Sequence, residues 1–227
     1  FPPAILPAGN YSIKARAELV GDQAPGNDEI TGSLVIESPL CGNYDVGSSG
    51  VFASLTNVSG AFSTLNLLGA SCDVTFSVVS DLSGETGAVA LNPWAEVGAG
   101  GYTLTIKPSG APRVISGVSS GSGLIILNGA DRVTIDGSLG GGTDRSLTLS
   151  NTSATAAVVW IRSASAVDGS TFDTVKNCVI TGGSGTTTVA GVVAGSGVTL
   201  GDPAESPNSN NTLRNYVITT VQSALYL

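Results

Sequence analysis

The sequence predicts an all-β protein, most of it folded as a right-handed parallel β-helix. Helix formers are scarce among the 227 residues, since Met is absent and Lys and Arg together number 9, whereas Gly reaches 31. The chain also repeats itself about every 33 residues, a period in the range typical of solenoids. Short strands separated by turn-forming residues and repeated at this spacing form stacked coils.

The clearest repeat joins residues 174–181 (TVKNCVIT) to residues 212–219 (TLRNYVIT). The two segments agree position by position as Thr, aliphatic, basic, Asn, any, Val, Ile, Thr, and residues 131–136 form a looser copy. A second series of apolar segments recurs between these copies, at residues 124–128, 158–162, 191–195 and 224–227. Each coil is therefore expected to contain about three short strands.

Two pairs of residues in the repeat carry structural predictions. We expect Val179 and Val217 to stack at equivalent positions of successive coils. Asn177 and Asn215 then occupy the same turn, where Asn tolerates the left-handed backbone and can hydrogen-bond to the Asn of the next coil.

Residues 1–38 have a different pattern. Apolar and polar residues alternate along residues 10–19, which predicts a strand buried on one face. Turn formers fill residues 21–28, and residues 30–37 predict a second strand. Because two strands cannot stand alone, we expect these to be the last strands of a β-sandwich and the chain to be a piece of a longer protein. The Ser-Pro-Leu break that follows separates them from residues 39–227, the β-helix with its N-terminal cap.

The cap region contains the one predicted helix and two of the three cysteines. Apolar residues recur at intervals of three and four along residues 51–68, which favours a short helix, and residues 72–79 follow as a strand. Without His, a Cys/His zinc site is excluded, which leaves a disulfide plus one thiol or three buried thiols. We predict a Cys41–Cys72 disulfide that ties the cap to the first coils, with Cys178 a buried thiol.

The charge of the chain limits its partners. A net charge of −8 with a pI near 4.3 gives no electrostatic basis for binding nucleic acid or an anionic membrane. No apolar stretch approaches the roughly 18 residues of a membrane span. The partners expected are other segments of the same long chain and extracellular glycans or surface proteins.

Several segments resemble known bacterial surface proteins. Residues 39–47 (PLCGNYDVG), 127–137 (LNGADRVTIDG) and 210–215 (NNTLRN) look like β-helix regions in large surface proteins of Bacteroidota-type bacteria. Residues 1–38 resemble the C-terminal hairpin of immunoglobulin-like modules of such proteins. The resemblance implies a right-handed parallel β-helix, export by a type IX-like route and an extracellular or cell-surface location. It implies little about chemistry. Residues 173–175 (DTV) fit a short O-glycosylation motif of these bacteria.

Four carboxylates are placed where a coil could present them: Asp131, Asp136, Asp144 and Asp173. A glycosidase needs two carboxyl groups about 5 to 10 Å apart across a groove. All four residues lie beside Gly or Thr or at a strand edge, where Asp commonly accepts hydrogen bonds from the backbone. We therefore expect them to be dispersed at coil corners, and no catalytic, cofactor-binding or metal-ligating residue is assigned.

The sequence also predicts an exterior ladder on one sheet. If the neighbours of Trp160 point inward, Trp160 and Arg162 point outward, and the same phase places Ile126, Val193 and Tyr226 outward in other coils. Sugar rings and partner proteins stack on such surfaces. Two alternatives are that a loop covers the ladder, or that the phase is inverted and Trp160 belongs to the core.

Two acidic loops, residues 22–29 and 202–205, offer hard oxygen ligands for calcium. Neither has the spacing of a known calcium-binding loop, and solvated turns are the favoured interpretation.

Three functions remain open from the sequence. The first is a non-catalytic structural or adhesive segment of a large secreted or cell-surface protein that binds glycans. The alternative is a polysaccharide lyase or glycoside hydrolase on a β-helix scaffold. An ice- or surface-binding solenoid would need regular outward Thr ladders, whereas residues 186–188 provide only a single Thr cluster.

Overall fold

The computed structural model describes residues 6–17, 20–21, 26, 28–119 and 121–227. The chain divides into two compact units, Phe1–Ser38 and Pro39–Leu227. This division coincides with the boundary predicted at the Ser-Pro-Leu break.

The first unit contains an antiparallel hairpin. Strand β1 (Gly9–Arg16) pairs with β2 (Glu29–Ile36) along its whole length. Lys14 Nζ lies 2.7 Å from Oε1 of Glu29 across this pair. Most side chains of both strands are exposed, which leaves the hairpin with little core of its own. Its assignment to an immunoglobulin-like sandwich stays a prediction, and most of the predicted connection lies outside the described residues.

The second unit is a parallel β-solenoid of about six turns. Sheet 1 contains β3 (Leu40–Val46), β4 (Ala70–Val78), β6 (Leu104–Pro108), β9 (Val133–Asp136), β12 (Thr174–Lys176) and β15 (Thr212–Arg214). Sheet 2 contains β5 (Leu82–Glu85), β7 (Arg113–Gly117), β10 (Leu147–Asn151), β13 (Cys178–Gly182) and β16 (Val217–Thr219). Sheet 3 contains β8 (Gly123–Asn128), β11 (Ala157–Arg162), β14 (Ala190–Gly195) and β17 (Ser223–Tyr226).

The core forms because one face of each strand is apolar. In β6, Leu104 and Ile106 are fully buried, whereas Thr105 and Lys107 are partly exposed. This alternation is the period of two expected for a strand with one solvated face. Sheet 3 differs, because five successive residues of β8 and of β11 are buried. Both faces of sheet 3 are therefore covered. This explains why the sequences of β8 and β11 are almost continuously apolar.

The predicted repeat is confirmed by the register of the strands. Val179 lies opposite Val217 in sheet 2. In sheet 3, Val159, Val192 and Leu225 follow one another at intervals of 33 residues. The period is not uniform, however, since Val133 and Asp173 occupy neighbouring coils of sheet 1 at a separation of 40 residues. The strands keep a constant register while the corners between them differ in length.

The corner after sheet 1 is stabilised by a stack of polar side chains. Asn177 and Asn215 both have a left-handed backbone, with φ of 58° and 50°. Asn215 Nδ2 donates to Asn177 Oδ1 at 2.5 Å, and Asn177 Nδ2 donates to Asp136 Oδ1 at 2.7 Å. The predicted Asn stack is confirmed. The same backbone conformation recurs one or two residues before strands of sheet 1, at Arg132, Phe172 and Asn210.

Helix α1 (Ala61–Leu68) belongs to the cap and buries Phe62 and Leu65 completely. It is shorter than the predicted segment 51–68. Ser59 has a positive φ of 65° and Gly60 is extended, so the helix cannot begin before Ala61. Within the described part of the chain, no helix has both the length and the apolarity of a membrane span.

The cysteines pair as expected from their positions. A disulfide joins Cys41 of β3 to Cys72 of β4, with their Cα atoms 4.8 Å apart. In the chain-entropy model, closing a loop of this length stabilises the fold by about 3 to 4 kcal/mol. Cys178 is free and buried, and its burial raises the pKa of the thiol to about 12. It therefore stays protonated and behaves as a small core residue.

Candidate functional site

The four predicted carboxylates lie at two corners of the solenoid. Asp131 and Asp173 precede strands of sheet 1, whereas Asp136 ends β9 and Asp144 lies in the connection that follows it. Each accepts a backbone hydrogen bond, from Thr171 N to Asp131, Ser138 N to Asp136, Leu139 N to Asp144 and Val133 N to Asp173. The predicted capping role is confirmed. They are less dispersed than expected, however, since Asp131 and Asp173 share one corner and Asp136 and Asp144 share the other.

Asp173 is the most perturbed of these groups. Its Oδ1 accepts from Val133 N at 2.9 Å and its Oδ2 from Ser170 Oγ at 2.8 Å. Only 1% of its surface is exposed, and this burial raises the pKa of Asp173 to about 7. Asp131 adds to the rise through like-charge repulsion. A carboxyl closed off in this way caps a strand but cannot reach a substrate from its present position.

Neither of two cavities in the solenoid has a pair of acids suited to catalysis. A cavity of about 80 Å³ lies between Trp94, Glu96, Asp131 and Arg132. It is far smaller than the roughly 300 Å³ at which ligand pockets begin. Its two carboxylates are also occupied, Glu96 by Arg132 Nη2 at 2.7 Å and Asp131 by the hydroxyl of Thr171 at 2.6 Å.

The larger cavity, of about 760 Å³, opens at the sixth coil. Leu213 and Leu225 line it, and both continue inward core columns of the preceding coils. Tyr226 lines this cavity, whereas none of the four predicted carboxylates does. This cavity is therefore lined by a continuation of the apolar core and not by the four candidate acids.

The acidic loop at residues 202–205 is held by hydrogen bonds to Glu205. The carboxylate accepts from the hydroxyls of Ser163 and Ser196 and from Gly197 N. These bonds lower the pKa of Glu205 to about 2. No group of three or more metal-ligating side chains occurs within the described ranges, and most of the second acidic loop, at residues 22–29, lies outside them.

The predicted ladder exists on sheet 3 but is not exposed. Trp160 lies in register with Ile126 on one side and Val193 on the other, and Val193 is followed by Tyr226. The exposed fractions of the first three side chains are only 2%, 7% and 0%, against 46% for Tyr226. The expectation of an exterior contact surface is therefore wrong for Ile126, Trp160 and Val193.

A separate outer cluster explains this burial. Ile126, Trp160 and Val193 form a small apolar core apart from the main one, and Leu200 from the loop after β14 packs against it. The guanidinium of Arg162 lies over the Trp160 ring, with Cζ 4.6 Å from the ring centroid. The alternative that a loop covers the ladder is thus the correct one, and the phase of β11 is as predicted.

Sheet 1 presents the opposite kind of outer face. Its strands place one threonine each in a single row across five coils, here called the hydroxyl column: Thr75, Thr105, Thr134, Thr174 and Thr212. Neighbouring members are separated by about 4.8 Å, the spacing of paired strands. Their hydroxyl groups take part in none of the side-chain hydrogen bonds found among the described residues. They are therefore free to donate to and accept from a ligand.

A second row lies two residues further along the same five strands, where β4 has Ser77 and the other four have charged residues, here called the charged column: Lys107, Asp136, Lys176 and Arg214. Lys176 Nζ lies 3.0 Å from Asp136 Oδ2. Each side chain of the charged column points to the same face of the sheet as the threonine two residues before it. The outer face of sheet 1 thus combines free hydroxyls with a row of mainly positive groups.

The hydroxyl column was missed at the level of sequence because its members are unevenly spaced. Thr105 and Thr134 are separated by 29 residues, whereas Thr134 and Thr174 are separated by 40. The available signal was a Thr immediately before an inward apolar residue in five of the six strands of sheet 1, such as Thr75 before Phe76. The regular outward Thr ladder that a surface-binding solenoid requires is therefore present.

Comparisons with known proteins give no relative: no family model, no curated protein and no solved structure matches this chain.

Proposed function

We propose that this chain is a non-catalytic structural or adhesive segment of a large secreted or cell-surface protein, and that it binds extended glycans. One observation carries the proposal. The carboxylates at the coil corners are used as backbone caps, whereas the hydroxyl column has no side-chain hydrogen bond among the described residues and extends along one continuous face. A surface of this kind suits binding along a polymer better than bond cleavage within a cleft.

The wider setting follows from the resemblance of residues 39–47 and 127–137. It supports a right-handed β-helix in a surface protein of Bacteroidota-type bacteria, exported by a type IX-like route and located outside the cell. The hairpin of the first unit supports an immunoglobulin-like module beside it. In this setting the partners are other segments of the same long chain and extracellular glycans.

The alternative function, a polysaccharide lyase or glycoside hydrolase, is favoured by one observation. The pKa of Asp173 is raised to about 7, which suits a general acid at neutral pH. Its side chain is closed to solvent, however, and its oxygens are bonded to Val133 N and Ser170 Oγ. Cleavage through Asp173 would require this corner to open.

Binding and cleavage are separated by one experiment. The chain would be incubated with a panel of neutral and acidic polysaccharides, with retention in affinity electrophoresis and release of reducing or unsaturated ends measured together. We expect retention by at least one polysaccharide and no release of ends. Release of ends that disappears in Asp173→Asn would replace this proposal with the enzymatic one, and no retention by any polysaccharide would contradict it.

A further inference from the structure

The positive charges of the chain are unevenly distributed. The sequence has 9 Lys and Arg residues against 17 Asp and Glu residues. Three of those nine cations, Lys107, Lys176 and Arg214, lie in the charged column on the outer face of sheet 1. A protein that is acidic overall therefore presents a mainly positive row along one face of its solenoid.

Two of these cations have no counterion among the residues that the structure describes. Lys176 is paired with Asp136 at 3.0 Å. The side chains of Lys107 and Arg214 make no ion pair or hydrogen bond with another residue in the described part of the chain. Lys107 is partly exposed and Arg214 is exposed, so both are available to an external anion. Three strand steps separate them, or about 14 Å.

A further cation lies at the edge of the same face. Arg145 Nη2 donates to Asn215 Oδ1 at 2.6 Å, and Arg145 Nε donates to Asn215 O at 3.1 Å. These bonds hold the guanidinium beside the corner that follows β15. The connection after β9 thereby places the Arg145 guanidinium beside the end of the charged column, next to the carboxylate of Asp144.

The hydroxyls of sheet 2 provide an internal comparison. Thr181 and Thr219 also stack in register, but there the hydroxyl of Thr219 donates to that of Thr181 at 3.2 Å. Ser116 of the same sheet donates to Leu82 O at 3.2 Å. Among the described residues, three outward hydroxyls of sheet 2 thus have internal hydrogen bonds, whereas the five hydroxyls of the hydroxyl column have none.

We propose that the outer face of sheet 1 binds an extended carboxylated polysaccharide, whose chain runs across the strands along the solenoid axis. The hydroxyl column would exchange hydrogen bonds with the sugar hydroxyls, and Lys107 and Arg214 would pair with carboxylates of the polymer. This inference rests on the proposed glycan-binding function and specifies its ligand and its surface. A neutral glycan would leave both cations unpaired, which is why charge complementarity favours an anionic one.

The test uses polygalacturonate as the probe, with its fully methyl-esterified form as the neutral comparison. Binding to the whole chain would be measured by isothermal titration calorimetry at two salt concentrations. We expect binding of polygalacturonate that weakens with salt, and binding of the esterified polymer at least tenfold weaker. The double variant Lys107→Gln/Arg214→Gln should lose at least tenfold in affinity for polygalacturonate.

Lys14→Gln is the matched control, because it removes the same unit of charge from the first unit of the chain. It should change the affinity by less than twofold, against severalfold for Lys107→Gln alone. Equal losses in the two single variants would overturn the inference, since binding would then follow net charge rather than this face.

The hydroxyl column is tested separately by the triple variant Thr105→Val/Thr134→Val/Thr174→Val. It should also lose at least tenfold, while Thr148→Val on sheet 2, whose strand neighbours Val114 and Val179 are already valines, should bind as wild type. If the esterified polymer binds equally well and no variant matters, the chain binds glycans elsewhere, and only this inference fails. Inhibition of ice growth that depends on these threonines, without binding of polygalacturonate, would also overturn it.

Discussion

The outer faces of sheets 1 and 3 belong to the same coils and differ in almost every property. Sheet 3 presents Ile126, Trp160 and Val193, all buried beneath other parts of the chain. Sheet 1 presents threonines and charged side chains that are partly or fully exposed. The coils repeat the same backbone, but the outer faces of the three sheets are not alike. Each column of outward residues has its own side-chain chemistry and its own degree of burial.

The difference has a physical cause in the apolar content of each column. Outward apolar side chains are costly to leave in water, at roughly 25 cal/mol per Å², and Leu200 from the loop after β14 packs over them. The hydroxyl column has no such requirement, since its oxygens are solvated as long as no ligand is present. A covered face contributes to stability, whereas the uncovered one is available for binding.

The largest expected effect comes from breaking the covered face. Trp160→Ala removes a fully enclosed ring, and we expect it to lower the free energy of unfolding by about 3 to 5 kcal/mol. Tyr226→Ala is the control from the same column, where the side chain is 46% exposed, and it should cost about 1 kcal/mol. Urea denaturation measures both, and similar losses for the two variants would mean that Trp160 is solvated.

A second effect concerns the corner between the two faces, where Asp173 begins the turn into β12. Because its pKa is raised to about 7 in the folded protein and lies near 4 in the unfolded chain, the folded state binds the proton more tightly. Stability should therefore fall as pH rises from about 4 to about 7.5, by up to about 1.4 kcal/mol for each unit of raised pKa.

Asp173→Asn should flatten this part of the stability profile measured by urea denaturation at a series of pH values. Asp144→Asn is the control, because hydrogen bonds lower the pKa of Asp144 and its influence lies at more acidic pH. A difference between the wild-type and Asp173→Asn profiles that stays constant from pH 4 to 7.5 would contradict the burial of Asp173.

The smallest expected effect is on the open face. Thr134→Val replaces a solvated hydroxyl by a methyl group of similar shape in a strand that suits β-branched residues. The free energy of unfolding should change by less than about 0.5 kcal/mol, as measured by urea denaturation. A loss above about 1 kcal/mol would show that the hydroxyl has a structural partner and is not free for a ligand.

Local repetition explains which features the sequence predicts. The matching segments 174–181 and 212–219 give the stack of Asn177 on Asn215 and of Val179 on Val217, because equal sequences in successive coils adopt equal positions. The Cys41–Cys72 disulfide follows from the same topology, since strands β3 and β4 are neighbours.

Corner lengths and covering loops explain which features it does not predict. The hydroxyl column escapes a fixed period because the connections before sheet 1 vary in length, so that Thr134 and Thr174 are 40 residues apart. The burial of Trp160 depends on Leu200, whose loop folds back onto sheet 3 from the following coil. No pattern around Trp160 itself contains that information.

The contrast between the two faces is tested most directly by mapping which residues change their NMR signals when a ligand binds. Amide chemical shifts of the labelled chain would be followed by NMR during titration with oligogalacturonates. We expect perturbations in β6, β9, β12 and β15 of sheet 1, centred on Thr105, Thr134 and Thr174, with β8 and β11 of sheet 3 unchanged. Perturbations confined to sheet 3, or to the cavity at the sixth coil, would contradict the assignment of sheet 1 as the binding face.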